Sequence, residues 1–147
     1  MRAPRSGDKT DPRPSIGLSI LLADDDANLR SMLAIVLRRD GHRVQEFRNG
    51  GDLQSHLLAT YVPGQPVPRE ILMILDLRMP EVDGLSLVRS LRQRGQTPPF
   101  ILLTAFGGAQ VVTAAETLGA LGVLDKPFDF DDLRTLVRGH ARSQLSA

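Results

Sequence analysis

Residues 19–30, SILLADDDANLR, join a short apolar run to an acidic triplet and then to the first turn of a helical pattern. The run at 19–23 is continuous rather than alternating, which is typical of a parallel strand buried on both faces. From residue 27 to 39 apolar side chains recur at helical spacing, and Asp26 is well placed to cap the helix N-terminus. This stretch therefore predicts a strand followed by a helix, the repeating unit of a parallel sheet.

The same alternation recurs four more times along the chain. The predicted strand and helix pairs are 43–47 with 51–60, 71–75 with 85–94, 100–103 with 109–118, and 121–124 with 130–138. Between residues 61 and 68, three prolines and a glycine exclude a helix or a central strand and predict a loop. Five such pairs predict an α/β fold with a doubly wound, five-stranded parallel sheet and five helices.

The length of 147 residues suits one compact domain. We predict a disordered N-terminal extension at 1–17, where three prolines lie among polar residues, then the domain at 18–142 and a short tail at 143–147. The stretch after the last predicted helix is too short for a helix-turn-helix output domain, so no such domain is expected in this chain.

Composition narrows the classes of function. The absence of cysteine excludes disulfides, thiolate metal sites and thiol catalysis. A net charge of +1, with acids and bases interspersed, gives no reason to expect nucleic acid as a direct partner. No apolar run approaches the roughly 20 residues of a membrane-spanning helix, and no signal peptide is visible, so a soluble, cytoplasmic protein is expected.

Polar residues follow four of the five predicted strands, at the edge where an open parallel sheet binds its ligands. They are Asp24, Asp25 and Asp26 after the first strand, Asp76 at the end of the third, Thr104 after the fourth and Lys126 after the fifth. Helix capping would explain an acidic triplet by itself. The convergence of all these groups on one edge favours a chemical function instead.

Crowded carboxylates need a cation, because two charges about 4 Å apart at an effective dielectric constant near 20 repel by roughly 4 kcal/mol. Oxygen ligands without a nearby histidine or thiolate favour Mg²⁺ over zinc or copper. Such a set suits phosphoryl transfer to a carboxylate, with Asp76 as the nucleophile. Thr104 would donate a hydrogen bond to one phosphoryl oxygen, and Lys126 would pair with another.

Four segments resemble the signature segments of response-regulator receiver domains, in the same order and at similar separations. They are ILLADDDANLR (20–30), ILDLRMPEVDGL (74–85), PFILLTA (99–105) and LDKPFD (124–129). The resemblance covers about residues 18–142 and implies a flavodoxin-like topology. It further implies that Asp24 and Asp25 form the acidic pair, with Asp25 a direct Mg²⁺ ligand, and that Asp76 is the phosphoacceptor at the same metal site.

The resemblance also assigns roles to three residues beyond the carboxylates. It implies a metal ligand at the backbone carbonyl of Arg78, a switch hydroxyl at Thr104 and a phosphoryl-pairing cation at Lys126. It implies a cis peptide bond before Pro127. Val123 stands where the family often has an aromatic residue that turns inward when the domain is activated. We therefore predict that Phe106, on the loop after the fourth strand, carries the conformational change.

The activity implied by the family is uptake of a phosphoryl group from a phosphohistidine on a sensor histidine kinase or a histidine phosphotransfer protein. The signal then passes to an unknown protein target, with no membrane or nucleic acid involved and no enzyme activity beyond the domain's own phosphorylation and autodephosphorylation. A phosphatase with an aspartyl nucleophile would need a second acid two residues after Asp76, where Arg78 stands. A degenerate receiver would lack an acid, the threonine or the lysine, and all are present.

Two features have no assigned role. The loop at 61–68 is longer than usual in the family, either as a neutral insertion or as a surface specific to one partner. The three histidines, His42, His56 and His140, lack metal-ligand spacing and are expected on the surface or half buried.

Overall fold

The structure, a computed structural model, describes residues 17–105 and 107–146. The predicted disordered extension, apart from Gly17, lies outside the described residues. Phe106 also lies outside them, so its suggested role stays a prediction.

Five strands alternate with five helices along the described chain. They are β1 (Ser19–Ala23), α1 (Ala27–Arg39), β2 (Arg43–Phe47), α2 (Gly50–Thr60), β3 (Ile71–Asp76), α3 (Gly84–Gln93), β4 (Phe100–Thr104), α4 (Ala109–Thr117), β5 (Gly122–Asp125) and α5 (Phe130–Ser146). All strands pair in parallel, in the order β2-β1-β3-β4-β5. This confirms the predicted doubly wound, five-stranded sheet of flavodoxin-like topology.

The sheet separates two hydrophobic layers, because alternate side chains of each strand point to opposite faces. On one face Leu21 and Met73 pack with α2 and α3, and on the other face Ile20 and Leu72 pack with α1 and α5. Every residue of β3 is buried, which explains its continuous apolar sequence. No helix within residues 17–105 and 107–146 is long and apolar enough to cross a bilayer.

Side chains set the starts of the first three helices. Asp26 accepts hydrogen bonds from the backbone N–H groups of Asn28 and Leu29 at the start of α1, which confirms the predicted cap. Asn49 caps α2 and Asp83 caps α3 in the same manner. These caps matter for function because each lies in a connection at the carboxyl edge of the sheet.

The last helix is longer than predicted. We expected it at 130–138 with a short tail from 143, but α5 continues to Ser146. Gly139 is a poor helix former, and for this reason the sequence pattern did not predict that the helix continues beyond it. Beyond it, Ala141 is buried in the core, and the guanidinium of Arg69 donates a 2.9 Å hydrogen bond to the carbonyl of Gln144. Tertiary contacts therefore hold the extra turns in place.

Histidine burial also differs from the prediction in one case. His42 was expected on the surface or half buried, but it is 8% exposed. Its Nδ1 accepts a 3.0 Å hydrogen bond from the backbone N–H of Leu18, just before β1. This contact joins the start of β2 to the start of β1 and leaves His42 away from the carboxyl edge of the sheet.

Candidate functional site

The predicted site residues come from neighbouring strands. In the observed strand order β1 lies beside β3, with Ala23 aligned to Leu75, so the next residues, Asp24 and Asp76, lie side by side. The strand order changes direction here, because β2 lies on one side of β1 while β3, β4 and β5 follow on the other, and parallel sheets bind ligands at such a point. Thr104 ends β4, next to β3, and the backbone N–H of Lys126 donates a 2.7 Å hydrogen bond to its carbonyl.

Lys126 links the two buried carboxylates. Its Nζ lies 2.9 Å from Oδ2 of Asp24 and 3.2 Å from Oδ2 of Asp76. Asp24 is fully buried and Asp76 is 5% exposed, so both charges have left water. The predicted peptide geometry at this point is confirmed, because the Lys126–Pro127 bond is cis.

One cation does not balance two buried carboxylates. Burial, together with the neighbouring charge of Asp24, raises the pKa of Asp76 to about 7, although Lys126 opposes the shift. Burial lowers the pKa of Lys126, but its hydrogen bond to Asp24 and the charges of both carboxylates outweigh that effect and raise it. The site therefore favours a further positive charge, either a proton on Asp76 or a second cation.

The side chains of Asp24 and Asp26 are already engaged. Oδ1 of Asp24 accepts a 2.9 Å hydrogen bond from the backbone N–H of Asp26, and its Oδ2 contacts Lys126. Asp26 is the cap of α1. Asp25 is exposed, and its carboxylate lies within 4.8 Å of ligand oxygens of Asp24 and Asp76. Asp25 is therefore the member of the triplet best placed to bind a metal directly.

The donor set fits Mg²⁺. Three carboxylates from two strand ends converge with no histidine or thiolate among them, and hard oxygen ligands are those that Mg²⁺ prefers. The backbone N–H of Arg78 approaches Oδ1 of Asp76 at 3.4 Å, which places the Arg78 backbone beside the phosphoacceptor candidate. Thr104 is fully buried at the adjacent strand end. All the residues predicted for the site thus lie at one edge of the sheet.

Two residues support the site through contacts that the sequence does not predict. Arg30, in the first turns of α1, donates a 2.7 Å hydrogen bond to the backbone carbonyl of Asp24 and forms an ion pair with Glu46. Gly84 is needed because a Cβ there would lie 2.7 Å from the carbonyl oxygen of Asp76. Neither contact has a signature in residue spacing.

Acidic side chains are concentrated at the carboxyl edge of the sheet. Eight of the 17 acidic residues lie there in connections or at strand ends, namely Asp24, Asp25, Asp26, Asp76, Glu81, Asp83, Asp125 and Asp129. Arginines 38, 39, 43 and 69 lie at the opposite edge, where α1 ends and β2 and β3 begin. The negative potential at the site favours cations there.

Comparisons with known proteins agree with this geometry. A family model described as response regulator receiver domain matches residues 20–138. Regulatory protein AtoC of Escherichia coli is 36% identical over 121 residues, which cover 81% of this chain but 24% of AtoC. Sporulation initiation phosphotransferase F of Bacillus subtilis is 29% identical over 119 residues, covering 81% of this chain and 90% of that protein.

A solved receiver domain from a Francisella response regulator has the same fold. The superposition has a TM-score of 0.75 and covers 86% of this chain and 98% of that one, at 24% sequence identity. The present chain spans about a quarter of the length of the AtoC and NtrC relatives.

Proposed function

Since the chain belongs to the response regulator receiver domain family, we propose that it accepts a phosphoryl group on Asp76 from a phosphohistidine donor. The observation that carries the proposal is the position of Asp76. Its carboxylate ends β3, lies 3.2 Å from the ammonium of Lys126 and belongs to a cluster of three carboxylates. Domains of this family are signalling phosphoacceptors rather than enzymes in the ordinary sense.

The proposed transfer is a displacement at phosphorus. An oxygen of the Asp76 carboxylate attacks, an O–P bond forms and the N–P bond of the phosphohistidine breaks. The electron pair of that bond stays on the imidazole nitrogen, which can then take up a proton from water. Because little covalent chemistry is required of the protein, positioning and charge stabilisation account for most of the rate.

Asp25, Asp76 and the backbone carbonyl of Arg78 would hold Mg²⁺, with Asp24 completing the acidic pair. Bound there, Mg²⁺ would supply positive charge to neutralise the phosphoryl oxygens. A cation held by these carboxylates would also favour the ionised form of Asp76, whose pKa is otherwise raised to about 7. This matters because only the carboxylate, and not the protonated acid, is nucleophilic.

Lys126 and Thr104 would respond to the new phosphoryl group. The group adds about −1.5 to −2 of charge. Lys126 already lies between Asp24 and Asp76, so a small movement of its ammonium can reach a phosphoryl oxygen. The Thr104 hydroxyl can donate to another oxygen from the neighbouring strand end. Movement of these two groups would shift a balance between existing conformations.

The partners follow from the proposed chemistry. The donor would be a sensor histidine kinase or a histidine phosphotransfer protein, and the signal would pass to a further protein in the cytoplasm. The named phosphotransferase from Bacillus subtilis supports this proposal because the match covers nearly all of that protein. We propose neither nucleic acid nor a membrane as a direct partner of the described residues.

Beryllofluoride binding tests the proposal without a cognate kinase, since this mimic occupies the place of a phosphoryl group on a carboxylate. With Mg²⁺ present, fluorine NMR of the wild type should give bound signals that Asp76→Asn abolishes. Signals retained in Asp76→Asn would mean that another group takes the phosphoryl position. No bound signal in the wild type, in protein shown to bind Mg²⁺, would also contradict the proposal.

A further inference from the structure

Residues 80–82, in the loop between β3 and α3, form an unusually tight turn. The backbone N–H of Val82 donates a 2.9 Å hydrogen bond to the carbonyl of Pro80, two residues earlier. Glu81 between them has a φ of 73°. Among residues 17–105 and 107–146 it is the only non-glycine residue with a positive φ. A γ-turn of this hand is rare and strained, so neighbouring structure must hold it in place.

The start of α2 supplies that support. A Cβ on Gly50 would overlap the backbone carbonyl oxygen of Val82, and a Cβ on Gly51 would overlap Oε1 of Glu81. Two consecutive glycines therefore let the helix start press directly against the turn. The helix start is itself fixed, because the side chain of the buried Asn49 accepts a 2.7 Å hydrogen bond from the backbone N–H of Asp52.

The other end of the loop is anchored at the candidate site. The backbone N–H of Gly84 donates a 3.0 Å hydrogen bond to the carbonyl of Leu77, and this closes the base of the loop at 77–84. Arg78 lies inside the closed loop, two residues before Pro80. The loop is thus held at its base by the Leu77–Gly84 contact and at its tip by Gly50 and Gly51.

We infer that Gly50 and Gly51 are positioning residues for the metal site, acting through the turn at Glu81 on the backbone of Arg78. The inference rests on the proposed function, which makes the Arg78 carbonyl a Mg²⁺ ligand. A side chain at Gly50 would push the Val82 backbone away from α2 and turn the loop that contains Arg78. Groups that orient a metal ligand from outside the ligand set commonly affect metal affinity strongly.

Titration of the full chain with Mg²⁺, followed by backbone NMR, tests this inference. Gly50→Ala should weaken Mg²⁺ binding roughly tenfold. The matched control is Gly139→Ala in α5, where a Cβ would meet nothing within 4 Å, and it should bind Mg²⁺ as the wild type does. Amide shifts across β2 and α5 report that Gly50→Ala remains folded. Wild-type affinity in folded Gly50→Ala would overturn the inference.

If Gly50→Ala does not fold, Gly51→Ala provides the test of the inference. Its new methyl group would meet the Glu81 side chain from Oε1 back to Cβ, so it should cost less stability than a clash with backbone while still pressing on the residue at the turn. Gly51→Ala should weaken Mg²⁺ binding, and Gly51→Ala combined with Glu81→Ala should restore most of the affinity. Wild-type affinity in Gly51→Ala, or a loss that Glu81→Ala does not restore, would overturn the inference.

Asp25→Ala separates failure of the inference from failure of the proposed function. If Asp25→Ala does not weaken Mg²⁺ binding, the proposed metal site is wrong and the inference falls with it. If Asp25→Ala weakens binding while both glycine variants bind as the wild type does, the site stands and only the positioning role is overturned.

Discussion

The ammonium of Lys126 lies 2.9 Å from Oδ2 of Asp24, closer than its 3.2 Å distance from Oδ2 of Asp76. The cation expected to meet the phosphoryl group is therefore already paired, with one side chain serving two carboxylates. We expect phosphorylation to redistribute this pairing rather than to recruit a free lysine. The consequences of removing each partner can be measured.

Lys126→Met should destabilise the metal-free protein. The substitution keeps the apolar stem but leaves two buried carboxylates without their cation, and breaking a buried pair is costly. We expect a loss of about 1 to 3 kcal/mol in the free energy of unfolding, limited because Asp76 can take up a proton. Urea denaturation with a chelator measures the loss, and saturating Mg²⁺ should recover part of it. Unchanged stability would refute the pairing described here.

Substitutions at Asp25 and Asp26 should have different effects, one on metal binding and the other on helix capping. Asp25→Ala should weaken Mg²⁺ binding with little effect on the metal-free melting temperature, because Asp25 is exposed and does not cap α1. Asp26→Ala should do the reverse, costing about 1 kcal/mol of stability while Mg²⁺ binding is largely kept. Calorimetric Mg²⁺ titration and thermal melts of both variants test the pair. A large fall in melting temperature for Asp25→Ala would point to a structural role instead.

His42 should make stability depend on pH. Burial lowers its pKa from the ordinary value, although the nearby Asp40 opposes the shift. As pH falls below about 6.5, the unfolded chain takes up a proton before the folded domain does. The contribution of His42 to stability is therefore fully present above that pH and is lost as pH falls toward the folded pKa of His42. Protonation would also remove the Nδ1 acceptor for the Leu18 N–H.

His42→Asn isolates this contribution, since its side-chain oxygen can still accept the hydrogen bond but does not titrate. Urea denaturation between about pH 7 and 5 should give a smaller loss of stability for the variant than for the wild type. Burial also lowers the pKa of His140, which stays in both proteins and cancels in the comparison. Asp40 is common to both as well. Identical slopes would show that His42 does not carry the dependence.

The sequence was sufficient for the sheet and for the edge where the site lies. The apolar run and the helical spacing predicted β1 and α1 with the observed bounds, since a strand buried on both faces of a sheet is continuously apolar. The bounds of β2, an edge strand that reads RVQEF, also match the prediction. The strands β3 and β4 each extend one residue further than predicted, through Asp76 and Thr104. Backbone pairing continues past the last apolar side chain, so the polar residues at the ends belong to the ladder.

Contacts between distant segments were not predictable in the same way. Three contacts depend on packing across the fold: the close approach of Gly50 to Val82, the burial of His42, and the bidentate pair between Arg134 and Asp40, at 2.8 Å for both contacts. Residue spacing reports only what is close along one helix or strand. The sequence assigns no role to the 61–68 loop or to Val123, and the structure adds hydrogen bonds and apolar packing there.

Two hydrogen bonds fix the 61–68 loop to the domain. The side-chain amide of Gln96, a buried residue, donates hydrogen bonds to the backbone carbonyls of Val62 and Gln65. Val123 is half buried and packs against the layer of core residues on the α2 side of the sheet. Neither observation assigns a partner to the loop or a switching role to the valine.

Mass measurement of the intact protein after incubation with acetyl phosphate and Mg²⁺ tests the central claim most directly. The wild type should gain the mass of one phosphoryl group, and Asp76→Asn should gain none. Asp83→Asn, which alters the α3 cap on the same loop, is the matched control and should still gain one group. An equal gain by Asp76→Asn and the wild type would contradict the assignment of Asp76 as the phosphoacceptor.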